Sequence, residues 1–258
     1  MPLKFSKYQG TGNDFIIFDN RDGRIDHKNT QWFRHICDRR FGIGADGVML
    51  LENEAGYDFK MVYYNADGNI SSMCGNGGRC LVNYALRLGI VKDEYTFVAV
   101  DGPHTAYVKN GIVHLKMNDV LSVTKGENYY FLDTGSPHYV QFVEDVMQVD
   151  IKSTGAAIRY AEQFKPGGTN ANFIDCLQNQ LHIRTYERGV EDETLSCGTG
   201  VTASALAYAI NNALQDGKHT ITLQTMGGEL QVQFDLKNGH FTDVWLIGPG
   251  DLVFEGEI

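Results

Sequence analysis

No apolar run in this sequence approaches the length needed to cross a bilayer, and the opening Met1-Pro2-Leu3-Lys4-Phe5-Ser6-Lys7 lacks the apolar core of a signal peptide. Neither a membrane role nor export is expected, and the expected compartment is the cytoplasm. Basic charge is also scarce: 22 Lys and Arg against 32 Asp and Glu leave a net charge of −10 with no basic cluster, which argues against a nucleic-acid partner. The glycine loops carry neither the Gly-Lys-Ser/Thr phosphate signature nor a G-x-G-x-x-G turn between strand and helix, so nucleotide binding is rejected. Cysteine occurs five times, at 37, 74, 80, 176 and 197, an odd and widely spaced set that suits a reducing compartment better than a disulfide framework. No C-x-x-C pair and no histidine at ligand spacing points to a metal.

What the sequence does have is one arrangement used twice. Ser72-Met73-Cys74-Gly75-Asn76-Gly77-Gly78-Arg79-Cys80 opens into the apolar run Cys80 to Leu88, which stops at Gly89. Ser196-Cys197-Gly198-Thr199-Gly200 opens into a segment without any charged residue, so Val201 to Ile210 reads as a helix buried on all sides. Each cysteine then lies at a helix N-terminus, where unpaired amides and the helix dipole favour a thiolate and form a nest for a carboxylate. The glycines at 75, 77, 78, 198 and 200 suit close approach of a ligand to the backbone. For one Cys-Gly pair alone, a small buried cysteine beside a turn is the better reading.

The spacing shifts that balance. Cys74-Gly75 and Cys197-Gly198 are 123 positions apart, as are Thr11-Gly12 and Thr134-Gly135, and the same offset sets Tyr63 on Tyr186, Asn65 on Arg188 and Phe41 on Phe164. A duplicated unit of roughly 120 residues is the expectation. Two domains follow, residues 1–118 completed by 247–258, and residues 119–246, each bringing one thiol to a shared cleft. An apolar content of 43% is ample for two cores.

Along the chain, strands are expected at Leu3 to Tyr8, Phe15 to Phe18, Val48 to Leu51 and Tyr57 to Tyr64, with a short helix at Trp32 to Cys37. After the first cysteine helix come strands at Tyr95 to Val100, Ala106 to Val108 and Val113 to Met117. The second half opens with Tyr129 to Leu132, a loop from Asp133 to His138, and a strand from Tyr139 to Val143. A helix over Ile151 to Phe164, a polar loop from Gly167 to Phe173 and a strand from Leu181 to Tyr186 lead to Cys197. Thr220 to Gln224, Leu230 to Phe234 and Asp243 to Leu246 read as closing strands, and Leu252 to Ile258 as a strand returning to the first half.

With these residues in view, the chain resembles the diaminopimelate epimerases. Cys74 to Cys80, and Tyr186-Glu187-Arg188-Gly189 followed by Glu193 to Gly200, are similar to that family's two signatures, and Gly12-Asn13-Asp14-Phe15, Asn65-Ala66-Asp67-Gly68, Pro137-His138 and Asn170 lie where its other motifs fall. The resemblance covers nearly the whole chain. It implies an α/β fold of two pseudo-symmetric domains, each a curved mixed β-sheet around a central helix, with the active site between them. It also implies interconversion of LL- and meso-2,6-diaminopimelate without cofactor or metal, as a step towards lysine and peptidoglycan. Cys74 and Cys197 would be the two proton-transfer groups. His138 and Glu187 would tune them, the amides of Gly75, Asn76, Gly198 and Thr199 would hold the α-carboxylate, and Asn13, Asn65, Asn170, Glu187 and Arg188 would recognise the rest of the substrate. The expected partner is a small-molecule amino acid, with a homodimer as the form of any self-association. Three positions depart from the family pattern and bear on the distal end of the substrate: Gly47 for a glutamine, Ser136 for an asparagine before Pro-His, and a loop at 190–193 that is one residue longer.

Two other readings stay open on the residues alone. A proline-racemase-like enzyme shares the two-cysteine logic, although its signature has His where Asn76 stands. A non-enzymatic metal or redox protein would rest on Cys74, Cys80 and Cys197.

Overall fold

The structure, a computed structural model, describes residues 2–178 and 180–258 and falls into two units, Met1–Leu115 with Gly248–Ile258, and Lys116–Ile247. The first unit begins with a hairpin of β1 (Lys4–Gly10) and β2 (Asn13–Asp19). Its turn residues Thr11 and Gly12 both have positive φ, 48° and 87°, the turn hand that matches strand twist. Helix α1 (Thr30–Cys37) starts at Asn29, whose side chain accepts the Trp32 amide. β3 (Gly47–Glu52) then lies parallel to β2. Every residue from Phe15 to Phe18 and from Val48 to Leu51 is buried, as a parallel pair covered on both faces should be. β4 (Phe59–Asn65) returns antiparallel to β3 and, through the short β5 (Ile70–Ser71), delivers the chain to α2 (Gly75–Arg87). After Gly89, whose φ of 84° ends the helix in the left-handed region, β6 (Tyr95–Ala99) pairs parallel to β4, and β7 (Gly102–Lys109) and β8 (Ile112–Lys116) continue as a meander. β1, β2, β3 and β7 all contact α2, so the sheet wraps around that helix.

The second unit follows the same plan. β9 (Thr124–Lys125) pairs with β10 (Tyr130–Asp133), which forms a hairpin with β11 (Pro137–Phe142). α3 (Ile151–Arg159) leads to β12 (Asn170–Leu177), parallel to β11. β13 (Gln180–Glu187) and β14 (Asp192–Thr194) bring the chain to α4 (Gly198–Asn211). β15 (Gly217–Thr225), parallel to β13, is followed by β16 (Gly228–Lys237) and β17 (His240–Gly248). Pair by pair, the parallel and antiparallel senses repeat those of the first unit. The duplication extends to register: Phe15 faces Gly47 and, 123 positions on, His138 faces Asn170. Val201, Ala203, Ala205, Leu206, Ala207 and Ala209 of α4 are fully buried, so truncating Leu206 would cost roughly 2–5 kcal/mol. The last strand, β18 (Asp251–Glu257), pairs antiparallel with β1 and belongs to the first unit, as the return of Leu252 to Ile258 requires.

Four expectations need correction. Residues 170–177 form a strand, not a polar loop: the amides of Asn170 and Asn172 are fully engaged inside the unit, so their polarity carries no cost. The helix expected to reach Phe164 ends at Arg159, with only a single tight turn at Glu162–Phe164 before Pro166, which disfavours helical geometry at Lys165. His138 lies on β11 and not in a loop. The offset matches of Tyr63 with Tyr186 and Asn65 with Arg188 are one residue out of register. Met49 faces Tyr63 while Asn172 faces Thr185, so Asn65 corresponds to Glu187, and the extra residue of the longer second loop restores the offset at the cysteines. Among the described residues no helix is long and apolar enough to cross a membrane.

Candidate active site

Cys74 and Cys197 are the N-cap residues of α2 and α4. Both have extended backbones, φ −115°, ψ 124° and φ −121°, ψ 110°, and neither side chain caps its helix. The first intrahelical bonds run from Gly78 N to Cys74 O (2.7 Å) and from Val201 N to Cys197 O (2.8 Å). The amides of residues 75–77 and 198–200 therefore have no partner within their helices, an arrangement suited to an anion.

In the first unit Asn13 Oδ1 lies 3.5 Å from Cys74 Sγ and 3.5 Å from the Asn76 side-chain nitrogen. Its orientation is fixed from behind. Asn13 Nδ2 donates to Asp46 Oδ2 at 2.7 Å, and Asp46 is in turn held by Arg39 at 2.8 Å. Arg39 also binds Asp14 through two nitrogens, and Lys7 pairs with Asp14 at 2.8 Å while donating to the Gly44 carbonyl. Burial pushes the Asp14 carboxyl up, but the hydrogen bonds and charges of Arg39 and Lys7 outweigh it and hold the group well below the usual carboxylate range. Asn65, at the exposed end of β4 opposite Gly47, closes the turn to Asn69 through its backbone, and among the described residues no hydrogen bond joins its side chain to this cluster. At Gly47 a Cβ would meet the Tyr63 ring and the Tyr64 carbonyl, so Tyr63 fills the space beside this position.

In the second unit Cys197 Sγ is 3.5 Å from Thr199 Oγ1, and the Thr199 carbonyl accepts from Thr134 Oγ1 at 2.8 Å, tying the helix start to the β10–β11 turn. Arg188 donates to Ser136 Oγ (3.2 Å) and to the Gly167 carbonyl (3.4 Å), and its backbone amide donates to Asn170 Oδ1 (2.8 Å). Asn170 Nδ2 also reaches Ser136 Oγ at 2.9 Å. Ser136 thus occupies the place of the family's asparagine as a shared acceptor that joins Asn170 to Arg188. Glu187 accepts from Thr194 Oγ1 at 2.8 Å. His138 is fully buried. Its Nδ1 faces Asn172 Nδ2 at 3.1 Å, which leaves the proton on Nε2, and burial, aided by the Arg188 charge, pushes its pKa down to about 3. Whatever His138 does near neutral pH it does as a neutral imidazole.

The glycines divide by role. Cβ atoms at Gly77 and Gly200 would strike Met49 and Asn172 on the unit's own sheet, so these two glycines let the helix approach its strand and do not face a ligand. Cys80 is fully buried and burial pushes its thiol far up; Cys37 is likewise raised, to about 12. Neither is suited to proton transfer. Asp46, Thr134, Ser136 as a hub and Asn172 were not legible as functional residues, because each acts on a residue more than 30 positions away. Among the described residues no group of three or more His, Cys, Asp or Glu is placed to hold a metal ion.

A duplicated α/β unit with a cysteine capping each central helix defines the class of protein. Solved structures of similar fold match the whole chain: a PhzF-family phenazine biosynthesis protein of Bacillus anthracis at a TM-score of 0.80 and 12% identity, covering 100% of this chain and 99% of that one. A hydroxyproline epimerase of Agrobacterium vitis, solved with trans-4-hydroxy-L-proline bound, matches at 0.70 and 13%, covering 100% and 92%. At such identities the likeness is one of fold. Sequence fixes the family. The profile described as Diaminopimelate epimerase matches residues 5–121 and again residues 130–246. The diaminopimelate epimerase of Flavobacterium psychrophilum is 52% identical over 258 residues, 99% of this chain and 100% of that one, and that of Aquifex aeolicus is 38% identical over 279, covering 99% and 98%. The chain belongs to the diaminopimelate epimerase family.

Proposed function

We propose that this chain is a diaminopimelate epimerase that interconverts LL- and meso-2,6-diaminopimelate by proton transfer through Cys74 and Cys197. The observation that carries the reading is the repeated one: in each unit a cysteine stands at the N-cap of a buried helix, which places a thiol beside the anion-favouring start of that helix. Inverting an amino-acid α-carbon needs a base on one face and an acid on the other, and a thiolate and a thiol exchange those roles at the end of each turnover. The amides of Gly75, Asn76, Gly198 and Thr199 would hold the α-carboxylate and stabilise the enolate-like charge that develops there. Arg188, with Asn13, Asn65, Asn170 and Glu187, would hold the remaining polar groups, a planar guanidinium being suited to a distal carboxylate. Both thiols work only when reduced, which fits the cytoplasm, and the reaction belongs to lysine biosynthesis.

Incubation with LL-diaminopimelate in D2O tests the reading. Deuterium at the α-carbon together with the meso isomer is the expected result. Exchange on proline and none on diaminopimelate would transfer the chain to the proline-racemase reading, and exchange on neither would end the two-base assignment.

A further inference from the structure

Arg79 was singled out by the first cysteine signature and has no part in the reaction above. Its guanidinium is fully buried, yet all four of its hydrogen bonds go to neutral acceptors: Nε to Pro249 O (3.1 Å), Nη1 to Gly75 O (3.3 Å), and Nη2 to Thr11 Oγ1 (3.3 Å) and Asn76 Oδ1 (3.1 Å). Burying a cation with no bonded anion is costly, several kcal/mol in general. Two of these contacts are to residues 75 and 76, which immediately follow Cys74. The side chain folds back along α2 to the Gly75 carbonyl and the Asn76 side chain, adding a full charge at the positive end of the helix that Cys74 opens.

We propose that Arg79 is a positioning residue that holds Cys74 as the resting thiolate, so that the first unit supplies the base of the idle enzyme. The duplication provides the comparison. At the matching position of the second unit stands Thr202, whose Oγ1 donates to Gly198 O at 3.0 Å just as Arg79 donates to Gly75 O. The two side chains do the same structural work on the helix start, and only one of them brings charge. Few titratable groups face Arg79: the Cys74 and Cys80 thiols of its own helix and the Asp251 carboxylate of β18, which bonds to Gln9. Burial holds the Cys80 thiol protonated, and the Tyr8 phenol of β1 that faces it is raised to about 12. Behind Asn13, the charges of Lys7, Asp14, Arg39 and Asp46 are paired with one another. Burial lowers the Arg79 pKa, while charge on Cys80, Cys74 and Asp251 would raise it; of the two thiols, burial keeps Cys80 protonated and leaves Cys74 as the one able to carry the charge. Deprotonation of Cys74, with its proton passing to solvent, would neutralise the site.

This inference rests on the reading of Cys74 as a proton-transfer group, but the test reads the thiol itself and needs no turnover. In the intact protein, alkylation of the Cys74 and Cys197 peptides by iodoacetamide is followed against pH by mass spectrometry. Cys74 should titrate below the ordinary thiol value of about 8.5. In Arg79→Met its midpoint should rise by about one pH unit or more, a loss of roughly tenfold in thiolate at neutral pH. Arg79→Lys should restore most of the shift, and the Cys197 midpoint should stay in place. An unmoved Cys74 midpoint in folded Arg79→Met, or equal movement of both cysteines, would reduce Arg79 to a structural clamp. Should Arg79→Met not fold, the unsubstituted protein still decides: a Cys74 that titrates at or above about 8.5 overturns the proposal. Failure here with normal epimerisation leaves the two-base reading standing.

Discussion

The two units share a frame and differ in what lies behind the cysteine helix. In the first, the layer under α2 is apolar: Phe15, Met49 and Tyr63, with the Phe15 and Tyr63 rings meeting edge to face at 5.8 Å. At the matching registers of the second stand His138, Asn172 and Thr185. Asn172 donates to His138 and to the Tyr139 carbonyl (2.8 Å) and accepts from Thr185 Oγ1 (3.0 Å), so both of its donors and one of its two acceptor sites are used. Charge is distributed the opposite way, with buried Arg79 in the first unit and neutral Thr202 in the second. Duplication preserved what the fold needs, which is strand order, register and a glycine at 77 and 200. Divergence changed the surroundings of each cysteine helix, the kind of difference that sets the pKa values of two like groups apart.

The comparison breaks first at the thiols. Cys74→Ser and Cys197→Ser should each abolish epimerisation, by about a thousandfold or more, because a hydroxyl is too weak a base near neutral pH. Turnover within tenfold of normal in either variant would mean that one unit works alone. The next largest effect is expected at Arg188, which has no counterpart in the first unit. Arg188→Lys keeps the charge and loses the planar fork, and should cost about 2 kcal/mol in kcat/KM, roughly thirtyfold. Unchanged steady-state kinetics would return Arg188 to a role in holding Ser136 and Gly167.

Much of this frame was legible in the sequence, for identifiable reasons. The strands through Phe15 to Phe18 and Val48 to Leu51 appear as apolar runs because both faces are covered, and α4 appears as an uncharged stretch because it is buried all round. The cysteines at the helix starts are legible because Cys-Gly before an apolar run is a local pattern. β12 was not legible, since Gly167-Gly168-Thr169-Asn170-Ala171-Asn172 is read as a loop until one knows that Ser136, Pro137 and Tyr139 satisfy the two asparagines. The one-residue slip at Asn65 is of the same kind. Register is decided by cross-strand partners, and identical letters at a constant offset do not reveal it.

The glycines sharpen the comparison because they stand at equivalent positions against different neighbours. A Cβ at Gly77 meets the far end of Met49, a flexible side chain that can move aside, and alanine regains helix propensity of up to about 1 kcal/mol. A Cβ at Gly200 meets the Asn172 amide, which three hydrogen bonds hold in place. Gly200→Ala should therefore destabilise the protein by about 1–3 kcal/mol and Gly77→Ala by less than about 1. Equal shifts in denaturation midpoint would show that the second helix start is not as rigid as its hydrogen bonds imply.

The same polar layer predicts an acid sensitivity of its own. His138 has a folded pKa of about 3, below its unfolded value near 6.5. Between those values the unfolded chain binds the extra proton, so this residue lowers stability as pH falls, by about 1.4 kcal/mol per pH unit at most, and ceases to matter above pH 6.5. Chemical denaturation of the parent and of His138→Gln from pH 7 to pH 4 should show a shallower slope in the variant. Superimposable slopes would mean that the imidazole is hydrated and titrates normally.

The smallest effect should come from Cys80, the thiol that sequence pattern alone could confuse with Cys74. It lies inside α2, fully buried, where burial keeps it protonated. A protonated thiol with no access to solvent can neither take a proton from substrate nor exchange one with water, so Cys80→Ala should leave turnover within about threefold of normal. The cavity left by a single sulfur should lower stability by about 1 kcal/mol. Position 203, the match to Cys80 in the second unit, is already alanine and fully buried, so the frame accepts that residue at this place in the helix. A loss of turnover beyond tenfold with folding intact would mean that the reactive thiol of the first unit is Cys80 and that its helix start serves only to bind the carboxylate.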